Sequence, residues 1–564
     1  MVWKALREYD SVSADSSTGA AAESTSRLAV DVRRLSWVRP LAGDYAFNFS
    51  NVASLYAGDP RSSDAWREVI ERVQSQQRDR RVIADRLSAQ QAQRGAPAEA
   101  RNAAAKLADP RAVAIVTGQQ AGAFGGPLFT ILKAVTALQL ARSTEATLGV
   151  PTTAIFWIDA EDHDWPEIAS GTVLDANYQP RTVTLPPPEG AGELPVAALH
   201  LDERVANTLT ELEDALPRTD FTEWVMQGVR HAYRPGIGMA DAFARWLESV
   251  LGPYGLVVFD ASDAEVKPPL SEVFVREISS AGRTSALAAE AGHILSDRGH
   301  APQVVPQPDS VSLFHLDRQR RPVRRQGDRF VVGDQSYTAA ELAEEAASRP
   351  HLFSPNVLLR PIVQDTLFPT ACYVAGPSEL AYLGQLRKVY DHFNLPMPLI
   401  HPRATATLVD SATARFLAKY DVPLGDLQQQ DEAALNRLLQ SQLPPTVESA
   451  LTDAEDAIRR VMQRVVEVIP SVDPTLAGAA KTTLSKMEHE MRGLNGKMIQ
   501  AAKKRHETLR RQFKRAQALA FPHGHPQERT LSVVFFLNLY GPALIDRLFQ
   551  ELPVDYGQHW VLTI

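Results

Sequence analysis

Residues 112–141 read AVAIVTGQQAGAFGGPLFTILKAVTALQLA, and residues 152–167 read TTAIFWIDAEDHDWPE. The first run is apolar and β-branched at Val113, Ile115 and Val116. It ends at Thr117-Gly118 and passes into a loop holding Gly118, Gly122, Gly125 and Gly126. Pro127 then opens a helical pattern with Leu128, Ile131, Leu132, Val135 and Leu138 as its apolar positions. The second run, 154–158, ends in Asp159, Glu161, Asp162, His163 and Asp164. Strand, glycine loop, helix, strand and polar cluster is the order of a βαβ unit, whose ligands sit at the carboxyl ends of the strands. Glycines let the backbone approach a ligand, and a helix N-terminus offers unpaired N–H groups to an anion. The loop has neither the Gly-Lys-Ser/Thr of a Walker loop nor the Gly-x-Gly-x-x-Gly spacing of a dinucleotide fold. It predicts a ligand at a helix start without naming that ligand.

The 564 residues exceed one ordinary core, so two or three structural units are expected. A formal net charge of −8 argues against a nucleic-acid-binding surface over the whole molecule. The single cysteine, Cys372, rules out an intrachain disulfide and a cysteine-based metal site, and it fits a reducing cytoplasm. It lies in an apolar, strand-like run and reads as a buried, inert thiol. Residues 1–10 lack the apolar core of a signal peptide, and residues 11–26, rich in Ser, Ala, Thr and Gly, read as a flexible leader. No apolar stretch is long enough to span a membrane.

Residues 64–107 are Gln-, Arg- and Ala-rich and read as two helices on the core edge. Strand signals follow at 255–260, 311–316, 357–359 and 397–401. Short alternating runs at 182–185 and 330–332 suggest strands in an insertion rather than in a parallel core. From Pro445 the pattern changes. Val447, Leu451, Ala454, Ile458, Val461, Val465 and Val468 alternate steps of four and three, which is a heptad seam. Pro470 and Pro474 interrupt it, and Leu484, Met487, Met491, Leu494, Met498 and Ala501 restart it. Two seams around a short turn predict an antiparallel helical hairpin, read as a projecting arm rather than a helix pair lying on the core. Lys503-Lys504-Arg505 and Arg510-Arg511 fall on its second helix and read as a solvated face, with RNA contact the alternative. The expected fold class is α/β: a Rossmann-like parallel-sheet core with inserted connecting segments and a C-terminal antiparallel coiled-coil arm. The expected boundaries are 1–110 for the leader and edge helices, 111–420 for the core, 421–525 for the arm and 526–564 for a segment returning to the core.

Three groups of residues can carry chemistry. Gly118, Gln119 and Gln120 sit where the first strand should end and can hold a phosphate or carboxylate, or can simply form a capped turn. Lys133 shares a helix face with Gly126 and Thr130 and can reach back toward an anion, or can be solvated. Asp164 has the position of a helix N-cap before Pro166. That leaves Asp162 and His163 as base, ammonium ligand or Mg2+ carrier. In the third group, Arg360 offers a planar fork for carboxylates, while Gln364, Asp365 and Tyr382 can read hydroxyls. Glu379 has the alternative of an ordinary helix-start acid.

Residues 117–134, TGQQAGAFGGPLFTILKA, together with FWIDAEDHDWPEI (156–168), SPNVLLRPIVQDTLFPTACYVAGPSELAYLGQL (354–386) and QERTLSVVFFLNLYGP (527–542), resemble the cysteine ligase family of bacillithiol biosynthesis. The matches run in order from PLAGDY at 40–45 to the C-terminus. The resemblance implies addition of L-cysteine to the amino group of glucosaminyl malate, a core similar to class I aminoacyl-tRNA synthetases, and a homodimer formed through the arm. Of the residues read above, Asp162, His163 and Lys133 are expected to be catalytic. Gly118, Gln119, Gln120, Thr130, Arg360, Gln364, Asp365, Glu379 and Tyr382 are expected to contact substrate, Arg360 clamping the malate carboxylates. Amide synthesis is uphill in water, which calls for ATP or ADP with Mg2+ as activating partners; no resident metal site, nucleic acid or membrane is expected. The alternatives are a nucleotidyltransferase acting on another small acid and a non-catalytic nucleotide-binding scaffold.

Overall fold

Strand β1 (Val113–Gln119) is buried up to its last residue, and β2 (Thr152–Ile158) is buried throughout. Burial on both faces is what a central parallel strand requires, and it explains the near-continuous apolar runs. The two pair in parallel, from Val113 opposite Thr152 to Gln119 opposite Ile158. Helix α1 (Phe129–Leu148) makes the crossover and ends on the left-handed Gly149. Strand β3 (Val257–Asp260) then joins β2 in parallel. In the computed structural model residues 27–564 are described, apart from 308, 309 and 318; the expected leader lies outside the described residues.

Between β2 and β3 the chain inserts an antiparallel hairpin, Ser170–Leu174 with Pro180–Thr184, and helices that end in α2 (Met239–Leu251). After β3 comes a second insertion, an antiparallel sheet. Its strands are β4 (Ser310–Leu316), β5 (Arg320–Gln326), β6 (Arg329–Val332), β7 (Gln335–Thr338) and β8 (Phe353–Pro355), in the order β7-β6-β5-β4-β8. The alternating runs at 182–185 and 330–332 belong to these insertions, as expected. So does 311–316, which the sequence reading had counted among the core signals.

Helix α3 (Arg360–Leu367) leads into β9 (Thr370–Ala375), and α4 (Pro377–Leu383) precedes β10 (Leu399–Pro402). Both strands are parallel to β1, and the core order is β10-β9-β1-β2-β3. Counting core strands alone, that is 3-2-1-4-5 from the β3 edge, the doubly wound order. It reverses between β1 and β9, so their carboxyl ends border a crevice.

Three expectations need correction. Residues 357–359 form a turn, not a strand, because the Asn356 side chain accepts from Leu358 N (2.9 Å) and Leu359 N (3.2 Å) and launches α3. Residues 64–107 hold three helices, Ser63–Ser75, Arg80–Arg94 and Ala98–Ala105, since Asp79 caps a new helix after Ser75. The glycines near β1 serve packing. A Cβ on Gly118 would lie 2.7 Å from Trp157 O, and one on Gly125 (φ 84°) would lie 2.3 Å from the Trp246 ring of α2.

Contacts divide the chain into one unit of residues 1–408 with 526–564, and a second of residues 409–525. The second unit is helical. Its long pair is α5 (Pro445–Val468) and α6 (Leu476–Arg505), joined through Pro470 and Pro474. Arg459 and Glu488, on opposite sides of that turn, lie 3.3 Å apart, so the helices run antiparallel as the two seams predict. Arg510 and Arg511 belong to the next helix, Glu507–Ala520, and Lys503 is paired with Glu432 rather than free on a solvated face. Among the described residues no helix is long and apolar enough to cross a membrane.

Gly125→Ala should lower stability by about 1–3 kcal/mol, since it adds overpacking to a left-handed backbone. Urea denaturation followed by tryptophan fluorescence checks this, and an unchanged midpoint would contradict the packing role.

Candidate functional site

Lys133 is buried beneath the crevice. From α1 its ammonium meets Gly118 O at 2.8 Å, Gln119 Oε1 at 3.2 Å and Glu379 Oε2 at 2.6 Å. All three N–H donors are therefore engaged, which suits a protonated lysine that fastens the end of β1 to the start of α4. Glu379 also accepts from Gly376 N (2.5 Å) and Tyr373 Oη (2.8 Å). Burial alone would raise its pKa, but Lys133, the Gly376 N–H and Arg360 together hold it below the ordinary glutamate value.

The acidic cluster divides by direction. Asp162 borders the crevice and accepts from Gln120 Nε2 at 2.7 Å; the same amide donates to Glu167 at 2.7 Å. Asp162 also accepts from His163 N at 2.8 Å and from Arg320 at 3.2 Å. Asp159 borders the crevice too, and burial pushes its carboxyl up. Glu161 turns away and forms a buried ion pair with Lys267. Asp164 caps the short helix Trp165–Ile168, as its position predicts. His163 does not border the cavity; 42% of its side chain is exposed, and its Nδ1 lies 3.3 Å from the Arg320 guanidinium and 3.4 Å from Asp162 Oδ1.

The cavity of about 670 Å³ is bordered by Gly118, Gln119, Gln120, Lys133, Asp162, Arg360, Glu379 and Tyr382 of the expected residues. Thr130 is buried and does not border it; nor do Gln364 and Asp365. Those two stand behind Arg360, whose guanidinium donates to Gln364 Oε1 at 3.1 Å and to Tyr382 Oη at 3.1 Å. Gln364 in turn donates to Asp365 at 2.8 Å, and Tyr390 donates to Asp365 at 2.5 Å. They orient the arginine rather than read a ligand. Phe129, the first residue of α1, borders the cavity. Residues 531–533 pair with the loop just before it, Leu128 N donating to Leu531 O (2.9 Å) and Val533 N to Gly126 O (3.3 Å).

Asp159 was read within the acidic cluster but not as a site residue. Arg320, Tyr373, Arg403 and Arg529 were not singled out at all. Arg403 directly follows a core strand and was open to the same strand-end argument. Arg320 comes from the inserted sheet, and no local pattern marks it. The result is a cavity of mixed charge. Lys133, Arg320, Arg360, Arg403 and Arg529 line it together with Asp159, Asp162, Glu167 and Glu379. Its guanidinium groups suit carboxylates or phosphates, and its Asp159 and Asp162 carboxylates suit an ammonium. Among the described residues no three His, Cys, Asp or Glu side chains converge as a metal ligand set.

Residues 28–404 match the family described as bacillithiol biosynthesis BshC, N-terminal Rossmann-like domain, and residues 406–564 match its C-terminal coiled-coil domain. Proteins named "Putative cysteine ligase BshC" are similar over most of the chain. One from Salinibacter ruber is 36% identical over 527 residues, covering 92% of this chain and 95% of the relative. One from Chlorobaculum tepidum is 34% identical over 474 residues, covering 79% and 82%. One from Symbiobacterium thermophilum is 32% identical over 495 residues, covering 85% and 89%.

Glu379 has a depressed folded pKa, so its stabilisation is fully present above the unfolded value near 4.5 and is lost as pH falls through the folded value. Glu379→Gln should flatten that acid limb and lower stability at neutral pH by leaving the Lys133 ammonium short of its charged partner. Urea midpoints measured against pH check both effects; an unaltered acid limb would remove Glu379 from the linkage.

Proposed function

The chain belongs to the bacillithiol biosynthesis BshC family, and on that premise we propose that it forms the amide bond between L-cysteine and the amino group of glucosaminyl malate. The observation that carries this reading is that Arg360, Arg403 and Arg529 line the same cavity as Asp159 and Asp162. Ligation must hold carboxylates and an amine together, and the cavity offers a countercharge to each. Bringing the two reactants into one site removes much of the entropic barrier to their reaction.

In this reading Arg360 and its neighbours hold the carboxylates. Arg360 is prepared for that role because Gln364 and Tyr382 fix its plane. Asp162, held by Gln120 and Arg320, is the fixed countercharge for the ammonium. The attacking amine must lose a proton, and Asp159 suits the task because burial raises the proton affinity of its carboxyl. A nucleotide, ATP or ADP, would supply the phosphoryl or adenylyl group that turns a carboxylate oxygen into a leaving group. Arg403 and Arg529 are the residues that would face its phosphates, and Mg2+ would come with them, as Mg2+ favours phosphates with one or two carboxylates over an all-protein cage. The reaction belongs in the reducing cytoplasm.

Purified protein incubated with glucosaminyl malate, L-cysteine and ATP should yield the ligated product by mass spectrometry. No product with ATP or ADP present would overturn the assignment. Asp159→Asn should cut kcat by about 10²–10⁴ with the fold intact. Asp162→Asn should mainly raise KM for the amine, more so at low salt. Cys372→Ala should keep full turnover, because burial pushes this thiol up and away from a reactive thiolate.

We also propose that the arm dimerises the protein. Val461, Val468, Met487 and Leu494 remain 41–63% exposed along the hairpin seams, an apolar stripe that a second helix pair would cover. Val461→Glu with Leu494→Glu should give a folded monomer by sedimentation velocity. A dimer of unchanged strength would place the interface elsewhere.

A further inference from the structure

The inserted antiparallel sheet carries a second cavity, of about 590 Å³, bordered by the end of β4, by β7 and by the helix Ala339–Ser348. None of its lining residues borders the switch-point cavity. His315 forms one wall. It is only 3% exposed and packs edge-on against Phe353 at a centroid distance of 5.2 Å. Neither of its ring nitrogens has a hydrogen-bond partner. Glu345 Oε2 stands 3.4 Å from Nε2, close enough for charge attraction but outside hydrogen-bond geometry. Buried polar groups are nearly always satisfied, so this imidazole calls for a partner in the cavity it lines.

The surrounding charge restricts what that partner can be. Asp317, Glu341 and Glu345 line the cavity against one cation, Arg349, which is paired with Glu345. The Tyr337 phenol senses the same field: its pKa is raised first by burial and then by Glu345 and Asp317. Such a wall repels phosphates and carboxylates and attracts a cation. A hydroxyl group both donates and accepts, so it can serve either unbonded ring nitrogen of His315.

We propose that this cavity binds a small hydroxylated ammonium compound, its ammonium at Glu345 and Asp317 and a hydroxyl at His315. The site does not depend on the ligase reading, since it shares no residue with that cavity. Calorimetric titration of the full chain with glucosamine tests it, with N-acetylglucosamine and glucose as uncharged controls. Glucosamine should bind saturably, and the controls about tenfold more weakly or worse. Glu345→Gln should weaken glucosamine about tenfold, and Asp317→Asn, at an exposed position that tolerates change, should weaken it severalfold. Asp162→Asn should leave this binding intact. Absence of saturable binding, equal binding of N-acetylglucosamine, or loss in Asp162→Asn with retention in Glu345→Gln and Asp317→Asn would each overturn the proposal.

Discussion

A buried ammonium holds the switch point together. Lys133 lies under the crevice and reaches two strand ends that diverge there, through Gly118 O and Gln119 on one side and Glu379 on the other. A buried charge is tolerated only when its partners are complete, and here three acceptors meet three donors. The arrangement also depends on Gly118. Any side chain there would strike the Trp157 carbonyl of the adjacent strand and push β1 from β2. Apolar strands build the sheet, but this polar pin sets how its carboxyl ends meet, and so sets the floor of the cavity.

The walls come from farther away. Arg320 belongs to the second insertion yet donates to Asp162, which follows β2 in the core. Its guanidinium also stands 3.7 Å over the Phe314 ring of β4, so the inserted sheet itself holds it in place. Asp162 is thus fixed from three directions, by Gln120, Arg320 and the His163 N–H, before any substrate arrives. Asp159, three residues earlier, lacks that set of donors, and burial dominates its titration. In the proposed reading Asp162 is the fixed countercharge for the ammonium, and Asp159, whose carboxyl burial pushes up, is the group that takes its proton.

Features that depend on short-range rules were legible in the sequence. The β1–loop–α1–β2 unit, the Asp164 cap and the two seams of the arm all follow from local periodicity and turn chemistry. Side-chain direction was harder to read. Glu161 and Asp162 are adjacent, yet one is buried against Lys267 and the other faces the cavity, because the turn after β2 sends them to opposite sides. Depth divided the third block: Arg360 borders the cavity, while Gln364, one turn on along the same helix face, and Asp365 support it from behind. Arg320 was invisible because its role arises from a contact 158 residues away in sequence. In the glycine loop, Gly118, Gln119 and Gln120 border the cavity, while the absence of a side chain at Gly118 and Gly125 also answers the close approach of Trp157 and Trp246.

The C-terminal return belongs to the same logic. Residues 409–525 form a separate helical unit, so the chain leaves the first unit after Leu408 and rejoins it at Pro526. Just before the departure stands Arg403, and just after the return stands Glu528. The two form a bidentate buried pair at 2.9 and 2.7 Å, and Glu528 also accepts from Ala406 N at 3.1 Å. Removing either partner would strand a charge in the interior, so the pair holds the returning segment to one register. That register puts Arg529 into the cavity beside Arg403 and lays residues 531–533 across the start of α1. Leu128 N is thereby taken by Leu531 O, and the positive charge in the cavity lining comes from Lys133 and four guanidinium groups. A chain that lost this return would lose both Arg529 and the cover over α1. The last 39 residues of the first unit are therefore part of the site, although no residue of the glycine loop lies near them in sequence.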